Sequence, residues 1–321
     1  MEKHAMNDTY DLIIVGGGPG GLTAGLYGAR ANLKTLLLER YLPGGQLGNT
    51  ELVEDYPGFE SILGPDLAAK MEAHAKNFGL VIESAEVSQI RAEGDDRIVV
   101  TDDEVYRAKA VIVATGGSPV WLGVPGEKEF AGRGVSYCAI CDGAFFKNQV
   151  IAVVGGGDAA VEEAGFLTKY GSKVYIIHRR NQFRAQKIIQ KRAFENPKIE
   201  VVWDTVVEEI GGREKVEHLK LRNVKSKEQS QLPVGAIFVF IGFHPNTKIL
   251  PKGVTMDENG YILTDFRMQT SIPGLYAVGD VRQQLARQVT NAVGDGTTAA
   301  IAADKYIEQL HDKATAATAG R

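Results

Sequence analysis

The chain has 321 residues, of which 44% are hydrophobic and 24% charged, and this length and composition suit two domains of an ordinary soluble protein at roughly 150 residues each. Its formal net charge of −4 argues against a nucleic-acid-binding protein or a polybasic membrane surface. No apolar run approaches the roughly 18 residues that span a bilayer, and the polar residues 1–9 lack the apolar core of a signal peptide, so we expect no membrane association and a cytoplasmic location.

The first predicted elements form a strand–loop–helix unit. The apolar run 11–15 predicts a buried parallel strand, and it leads directly into Gly16-Gly-Gly-Pro-Gly-Gly21, which matches GxGxxG. A helix is predicted over 22–31, and a second strand over 35–38 ends in Glu39. In this context the motif indicates a dinucleotide site, with a glycine-rich turn that binds nothing as the alternative.

Each position of this motif has a physical role. Gly16 permits a tight turn, Gly18 lets a pyrophosphate approach the backbone, and Gly21 lets the helix and strand pack closely. Phosphates at the helix N-terminus are favoured by unpaired N–H groups and by the helix dipole. Glu39 lies where a carboxylate accepts hydrogen bonds from ribose hydroxyls. The first unit therefore predicts an unphosphorylated adenosine, that of FAD or NAD.

Two segments that follow the first unit support FAD. The loop Pro43-Gly-Gly-Gln-Leu47 lets backbone approach a ring system closely. The apolar run 110–114 predicts a buried strand, and Thr115-Gly-Gly117 follows it.

The only two cysteines form Cys138-Ala-Ile-Cys141, with Asp142 next. Two thiols at this spacing can close a disulfide, and in a reducing compartment such a pair is more often catalytic or metal-binding than structural. Zinc would need two more ligands, and the six histidines are scattered without ligand spacing. A redox pair is the favoured interpretation, and an accidental pair or a partial metal site is the alternative.

A second unit repeats the first. A strand is predicted over 150–154, the loop Gly155-Gly-Gly-Asp-Ala-Ala160 has the form GxGxxA, a helix follows over 161–170, and a strand over 173–177.

This second strand ends in His178-Arg179-Arg180, with Arg184 four residues on. The ribose-binding acid is missing, and three guanidiniums replace it. Arginine forks match phosphate oxygens, whereas a carboxylate would repel a 2′-phosphate. The second unit therefore predicts NADP, with a solvated charged face as the alternative.

Near the C-terminus a strand is predicted over 275–278, ending in Gly279-Asp280, and a helix over 293–310 follows Arg287-Gln288. A carboxylate at such a strand end can accept hydrogen bonds from a ribitol chain, and a helix N-terminus favours the negative charge of a reduced flavin. Segments from both ends of the chain are thus expected to build one domain, with the middle inserted as another.

Over about residues 9–310 the chain closely resembles low-molecular-weight, bacterial-type thioredoxin reductases, which are FAD-dependent pyridine nucleotide-disulfide oxidoreductases. The cysteine motif together with the HRRxxFR segment is the specific part, because the glycine loops alone occur in many flavoenzymes. The segments that carry the resemblance are Gly16–Gly21, Gly44–Leu47, Ala114–Gly116, Cys138–Asp142, Gly155–Ala160, His178–Arg184, Gly279-Asp280 and Ala286–Gln288.

The resemblance implies an α/β fold with two Rossmann-like dinucleotide-binding domains, each of three ββα layers. An NADPH domain of residues 119–246, which carries the cysteines, would be inserted into a discontinuous FAD domain of residues 1–118 and 247–321. A homodimer that associates through FAD domains is also implied.

The implied reaction passes electrons from NADPH through FAD to the Cys138–Cys141 disulfide, and from the dithiol to thioredoxin or a thioredoxin-like disulfide protein. By resemblance Cys141 faces the flavin, Cys138 attacks the partner disulfide, and Asp142 donates or accepts the proton; a capping carboxylate is the alternative role for Asp142. A large rotation between the domains is expected, with hinges at 116–117 and 242–246.

No metal site is expected. The residues expected to bind the two cofactors are Gly16, Gly18, Pro19, Gly21, Glu39, Arg40, Gly45, Gln46, Leu47, Asp55, Ala114, Thr115, Gly116, Gly155, Gly157, Asp158, Ala159, His178, Arg179, Arg180, Arg184, Gly242, Gly279, Asp280, Arg287, Gln288 and Val289.

Three positions depart from the family pattern. Ala144 stands where many relatives carry an aromatic residue that contacts thioredoxin, and Phe145 and Phe146 are the candidates to replace it. Asp55 replaces a frequent asparagine and Ala159 a frequent serine.

Four other functions are compatible with parts of this pattern. A flavin reductase of a peroxide-reducing system usually carries an extra N-terminal thioredoxin-like domain, whereas the first glycine loop in this chain begins at Gly16. A ferredoxin-dependent thioredoxin reductase would lack the arginine cluster, and an NADPH-dependent ferredoxin reductase would lack the cysteine pair. A non-catalytic dinucleotide sensor would bind NADPH without reducing a flavin.

Overall fold

The structure, a computed structural model, describes residues 9–50 and 52–319. The chain forms two compact units: the first comprises the residues up to Ser118 and those from His244 onward, and the second comprises Pro119–Phe243. The chain thus returns to the first unit after residue 243, three residues before the boundary expected from the sequence.

Strands and helices follow one another along the described residues. In chain order the strands are β1 (Thr9–Val15), β2 (Thr35–Glu39), β3 (Leu52–Val53), β4 (Ile62–Leu63), β5 (Val81–Ser84), β6 (Val87–Glu93), β7 (Asp96–Thr101), β8 (Val105–Val113), β9 (Gly117–Pro119), β10 (Val135–Ser136), β11 (Val150–Gly155), β12 (Lys173–Ile177), β13 (Ile199–Val202), β14 (Thr205–Gly212), β15 (Val216–Asn223), β16 (Gln229–Pro233), β17 (Ala236–Phe240), β18 (Phe243–Pro245) and β19 (Leu275–Ala277). The α-helices are α1 (Pro19–Arg30), α2 (Gly64–Asn77), α3 (Ala139–Asp142), α4 (Asp158–Leu167), α5 (Lys187–Glu195) and α6 (Val289–Ala319), and 3₁₀ turns span Gly45–Asn49, Gly143–Phe146 and Gly279–Val281.

The first unit is built on a sheet of order β5-β2-β1-β8-β7-β6, in which β19 also pairs with β8. The strands β5, β2, β1, β8 and β19 run parallel, whereas β6, β7 and the first half of β8 form an antiparallel meander. Strand β8 can belong to both parts because its second half, Val111–Val113, pairs with β19. The glycine loop and the turn after β19 therefore follow the carboxyl ends of β1 and β19, the two parallel partners of β8.

Alternate side chains of β1 separate the layers of this unit, as the period of a strand requires. Leu12 and Ile14 pack beneath α1, α2 and α6, in a cluster with Leu22, Ala75 and Ala303. The opposite face, which includes Ile13 and Val15, packs against the meander and against segments from 249 to 281. Helices, parallel sheet and meander thus form three layers.

The second unit repeats this arrangement with a parallel sheet of order β10-β17-β11-β12-β13. One face packs under α4 and α5, and the other face packs against the antiparallel sheet β14-β15-β16. The prediction of an α/β fold with two three-layer ββα units is therefore confirmed. No helix in the described part of the chain has the length and apolarity to span a bilayer.

Helix boundaries differ from the sequence prediction at three places. Helices α1 and α4 each begin three residues earlier than predicted, because the third glycine-loop residue already serves as the N-cap. Helix α4 ends at Leu167 rather than 170, where Lys198 donates to the carbonyl oxygens of Thr168 and Gly171. Helix α6 is also longer than the predicted 293–310, at Val289–Ala319.

Candidate active site

The first glycine loop has the geometry that a dinucleotide requires. Gly16 has a positive φ of 106°, and a Cβ there would lie 2.4 Å from the carbonyl oxygen of Ala114. A Cβ on Gly21 would lie 1.9 Å from the carbonyl oxygen of Gly16, so helix and strand touch at this point. At Gly18, in contrast, no described residue other than its neighbours in the chain has an atom within 4 Å of an added Cβ. The middle position is open on the side where a pyrophosphate would approach.

The N-terminus of α1 presents unpaired donors to that open side. Gly18 is the N-cap, no side chain caps the helix, and Pro19 occupies the first turn, which contains no acidic residue. Both the free N–H groups and the helix dipole favour an anion here.

Glu39 is held beside the loop at the end of β2. Its Oε2 accepts a 2.6 Å hydrogen bond from the Gly17 N–H, and its Oε1 accepts a 3.0 Å bond from the Tyr41 N–H. The fixed carboxylate retains lone pairs for ribose hydroxyls. The neighbouring Arg40 is exposed, pairs with Glu86 at 3.3 Å and lies over the ring of Tyr41.

The Gly45–Asn49 turn packs against the same loop. The Gly44 N–H donates to the Gly17 carbonyl oxygen at 2.8 Å, and a Cβ on Gly45 would lie 3.1 Å from the Cα of Gly18. Gln46 is exposed, and Leu47 is buried in a cluster that includes the predicted residue Val289.

Asp55 lies exposed in the bend between β3 and β4. Its role in cofactor binding stays a prediction from the sequence.

The segment after β8 also reaches the first loop. The Ala114 N–H donates to the Val15 carbonyl oxygen at 2.8 Å, and Thr115 and Gly116 exchange hydrogen bonds with Asn246 of the same unit. Thr115 Oγ1 donates to the Asn246 carbonyl oxygen at 2.8 Å, and the Asn246 N–H donates to the Gly116 carbonyl oxygen at 3.0 Å.

The turn after β19 carries the predicted Gly279 and Asp280. Gly279 has a positive φ of 68°. Burial raises the pKa of the Asp280 carboxyl, the Arg287 charge opposes that rise, and the Asp295 charge adds to it. Arg287 is exposed and its guanidinium lies 4.1 Å from the ring centroid of Tyr261. The carbonyl oxygen of the predicted Gln288 accepts the Ala292 N–H at 3.1 Å, in the first turn of α6.

Two residues at this turn were missed by the sequence interpretation, Arg282 and Asp295. Asp295 is buried, with 8% of the whole residue exposed, and its Oδ2 accepts the Gly279 N–H at 3.0 Å and a 3.2 Å contact from Arg282 Nη1. Burial raises the pKa of the Asp295 carboxyl, and the Gly279 N–H and the Arg282 charge oppose this. The available signal was an aspartate between two glycines, Gly294 and Gly296, inside a predicted helix.

The second glycine loop repeats the geometry of the first. A Cβ on Gly155 would lie 2.3 Å from the Phe240 carbonyl oxygen, whereas at Gly157 the space within 4 Å is open. Gly157 caps α4, and the exposed Ala159 lies in its first turn. The Asp158 carboxylate is engaged by Gln186, whose backbone N–H and side-chain amide donate to it at 2.7 and 3.2 Å.

The three predicted arginines are exposed together beside this loop. Arg179 and Arg180 follow β12 after His178, and the Arg184 N–H donates to the Gly156 carbonyl oxygen at 2.7 Å. A cation cluster beside an open glycine loop is the arrangement that a 2′-phosphate requires.

His178 takes a different position from the arginines that follow it. Its imidazole is buried, and a Cβ on Gly156 would lie 2.3 Å from it. Burial lowers the pKa of His178, and the charges of Arg184 and Arg180 lower it further, against two backbone hydrogen bonds that raise it. The His178 ring therefore packs against the glycine loop as a neutral group, and the three arginines carry the positive charge at this strand end.

Cys138 is the N-cap of the short helix α3 and Cys141 lies within it, and the two are joined as a disulfide with 5.3 Å between their Cα atoms. Cys138 is half-buried, Cys141 is exposed, and Asp142 is half-buried. The Ser136 hydroxyl accepts the Cys138 N–H at 3.1 Å and donates to the Cys138 carbonyl oxygen at 3.2 Å. The backbone that carries Cys138 is thus fixed by the buried Ser136.

A buried carboxylate that the sequence interpretation missed anchors the approach to Cys138. Glu127, at 1% exposure, accepts the N–H groups of Leu122 and Gly123 at 2.8 and 2.7 Å and the Tyr137 hydroxyl at 2.8 Å. Burial and the bond to Glu127 raise the pKa of Tyr137. The sequence carries no periodic signal for this contact, because it depends on a turn that brings residue 137 back to residue 127.

The two loops fit the cofactors predicted for them, since each is open at its middle glycine and differs from the other in the charge at its strand end.

Gly242, the remaining predicted residue, has a positive φ of 130°, and its carbonyl oxygen accepts the Val120 N–H at 2.9 Å. Within residues 9–50 and 52–319 no group of His, Cys, Asp and Glu is placed to hold a metal ion.

Known proteins match the chain over nearly its whole length. Residues 10–296 match the pyridine nucleotide-disulphide oxidoreductase family. The thioredoxin reductase of Listeria innocua is 49% identical over 305 residues, which cover 94% of this chain and 95% of that protein, and that of Bacillus subtilis is 47% identical over 304 residues, with 94% and 96% covered. The crystal structure of Lactococcus lactis thioredoxin reductase is 48% identical with a TM-score of 0.92, covering 94% of this chain and 99% of that one.

These matches confirm the resemblance that the cysteine and HRRxxFR motifs indicated. The chain belongs to the pyridine nucleotide-disulphide oxidoreductase family.

Proposed function

We propose that the protein is a thioredoxin reductase, which passes two electrons from NADPH through FAD and the Cys138–Cys141 disulfide to oxidised thioredoxin. The observation that carries this proposal is the formed disulfide on a chain with two dinucleotide loops of opposite strand-end charge. The relatives of Listeria and Bacillus bear the same functional name.

The charge beside each loop supports the assignment of the cofactors. The fixed Glu39 carboxylate can accept hydrogen bonds from ribose hydroxyls and would repel a 2′-phosphate, so the first unit suits the unphosphorylated adenosine of FAD. The exposed Arg179, Arg180 and Arg184 favour that phosphate, so NADPH binds in the second. Bound FAD supplies two-electron transfer between the nicotinamide and the disulfide.

The residues of this chain perform the thiol chemistry. Two electrons and two protons convert the Cys138–Cys141 disulfide to a dithiol. The Cys138 thiolate then attacks one sulfur of the partner disulfide and releases the other as a thiol, and Cys141 displaces the reduced partner while the intrachain disulfide re-forms. Asp142, half-buried next to Cys141, is proposed to hold and return the proton at these sulfur atoms.

Three further features belong to this proposal. The first unit, up to Ser118 and from His244, forms the FAD domain, and the second unit, Pro119–Phe243, forms the NADPH domain. The protein is a cytoplasmic homodimer that associates through FAD domains. A rotation between the domains, with hinges at 116–117 and 242–246, brings the nicotinamide and the disulfide to the flavin in turn.

The test separates flavin reduction from disulfide reduction. We expect the purified protein to be yellow and to bleach with NADPH, and C138S and C141S to bleach equally but to lose thioredoxin reduction. The variant A131S, at an exposed alanine of the same unit outside the cysteine motif, is the control and keeps both activities. Thioredoxin reduction by either cysteine variant would refute the electron route, and a protein that binds no FAD would refute the function.

A further inference from the structure

The buried pair of Arg282 and Asp295 has no part in the reaction as proposed so far. Arg282 Nη1 lies 3.2 and 3.4 Å from the two carboxylate oxygens of Asp295, and Arg282 Nε donates to Thr264 Oγ1 at 2.9 Å. The side chains of the two charged residues are 16% and 11% exposed. A pair this well covered interacts more strongly than a surface pair, because solvent screens it less.

The pair is connected directly to the turn that carries Asp280. Asp295 accepts the Gly279 N–H at 3.0 Å, which fixes the left-handed backbone of that glycine. Arg282 Nη1 also contacts Gln284 Oε1 at 3.4 Å, and Gln284 Nε2 contacts Asp280 Oδ1 at 3.4 Å. A chain of contacts thus runs from Asp295 to the carboxylate proposed for the ribitol.

The helix segment that carries Asp295 is fixed against the first dinucleotide helix. A Cβ on Gly296 would lie 2.3 Å from the Gly20 carbonyl oxygen, and a Cβ on Gly20 would lie 3.1 Å from the Ala292 carbonyl oxygen. The two helix backbones thus approach each other too closely for a side chain at either glycine. The charge of Asp295 therefore has a fixed position relative to both Gly279 and the glycine loop.

We propose that Asp295 is a positioning residue for the flavin: its carboxylate fixes the Gly279–Asp280 turn and, as the counter-charge of Arg282, sets the electrostatic potential that bound FAD experiences. This inference rests on the proposed FAD site. The four charged groups at this turn are Asp280, Asp295, Arg282 and Arg287, so the cluster is neutral when all four are ionised. Removing one of these charges leaves the cluster with a net charge whose sign is known.

Two substitutions that each remove one charge should shift the flavin potential in opposite directions. Reduced flavin is more negative than oxidised flavin, so a net positive cluster favours reduction and a net negative cluster opposes it. Asp295→Asn retains the acceptor for the Gly279 N–H but leaves the Arg282 charge uncompensated, and the flavin midpoint potential rises. Arg282→Gln leaves the Asp295 charge uncompensated, and the potential falls.

The experiment measures the midpoint potential of FAD bound to the purified holoprotein, by equilibration with reference dyes, together with the dissociation constant of oxidised FAD. We expect each variant to change the reduction equilibrium by about tenfold, which is about 30 mV for a two-electron couple, in opposite directions. Arg282→Lys keeps the charge and should restore the wild-type potential. Glu308→Gln removes an exposed acid about 20 Å further along α6 and should leave the potential unchanged.

The inference would be overturned if the midpoint potentials of D295N and R282Q shifted in the same direction, or by no more than that of E308Q. The proposed function would stand in that case, provided that the wild type binds FAD and bleaches with NADPH. A wild type that binds no FAD overturns the proposed function as well. If D295N does not fold, R282Q and R282K decide the question: a lowered potential in R282Q that R282K restores supports the inference, and equal potentials refute it.

Discussion

The cofactor preference of the second unit is the prediction on which the structure bears most directly. We consider Arg179→Gln, Arg180→Gln and Arg184→Gln, singly and together. All three side chains are exposed beside an open glycine loop, and His178, rather than a carboxylate, takes the place that Glu39 has in the first unit. Loss of a guanidinium should weaken NADPH binding and leave NADH binding nearly unchanged, because only NADPH carries the 2′-phosphate.

The exposure of the arginines sets the magnitude. A hydrogen bond to a charged group contributes about 1.5–3 kcal/mol, and solvent screening places these three at the lower end. A loss of about 1.5 kcal/mol is about tenfold in affinity for each arginine that contacts the phosphate. The triple variant should lose about a hundredfold or more, and less than the product of three single effects, because neighbouring charges couple.

The assay compares kcat/KM for NADPH and NADH in thioredoxin reduction. Arg213→Gln is the matched control, since it removes an exposed arginine of the same unit from the turn after β14, and it should leave both values unchanged. A variant in which kcat/KM falls equally for NADPH and NADH would show that the arginine stabilises the fold rather than binds the 2′-phosphate. An unchanged ratio in the triple variant would place the phosphate site elsewhere.

Three further predictions concern stability and cofactor retention. Gly21→Ala places a methyl group 1.9 Å from a carbonyl oxygen and should abolish FAD retention, measured by absorbance after gel filtration. Gly165→Ala, inside α4, adds a methyl group that meets no atom from outside its own stretch of helix within 4 Å, and it should stabilise the protein by about 0.5–1 kcal/mol in urea unfolding. Unfolded His178 protonates below its ordinary pKa of 6.5 while the buried ring stays neutral, so stability should fall as pH drops below that value, and His178→Gln should flatten this slope of the unfolding free energy. Tyr137→Phe removes the hydroxyl bonded to Glu127 and should cost about 1.5–3 kcal/mol in the same unfolding measurement; a loss below about 0.5 kcal/mol, within the range of ordinary surface substitutions, would contradict it.

The sequence predicted the elements around each glycine loop because the signals there are local. Strand β12 was predicted with its observed bounds, and β1, β2 and β11 to within two residues, since a short apolar run bounded by glycine or charge has few alternatives. The start of α6 was placed four residues too late, since Val289 follows polar residues and makes its stabilising contacts with Leu47 and Val53, far away in sequence.

The side-chain pairs were not predictable for the same reason. Asp295 reaches Gly279 across 16 residues, and Glu127 reaches Tyr137 across 10, and neither pair has a repeating pattern that marks it. Such contacts exist only after the turn and the helix have been placed by the rest of the fold. A charged residue in a helix is usually solvated, so burial of Asp295 is information that only the tertiary structure supplies.

Under the proposed function, comparison of the two units explains how one loop geometry would serve two nucleotides. Glu39 and His178 each follow the first glycine of their loop by 23 residues, and each lies against the second glycine: Glu39 accepts the Gly17 N–H, and the His178 ring lies where a Gly156 side chain would be. His178, which the sequence grouped with the phosphate-binding arginines, is thus the counterpart of the ribose-binding acid. Because burial lowers the pKa of this ring, it would not repel a phosphate as a carboxylate does, and under the proposed function the specificity of the second unit would rest on its arginines.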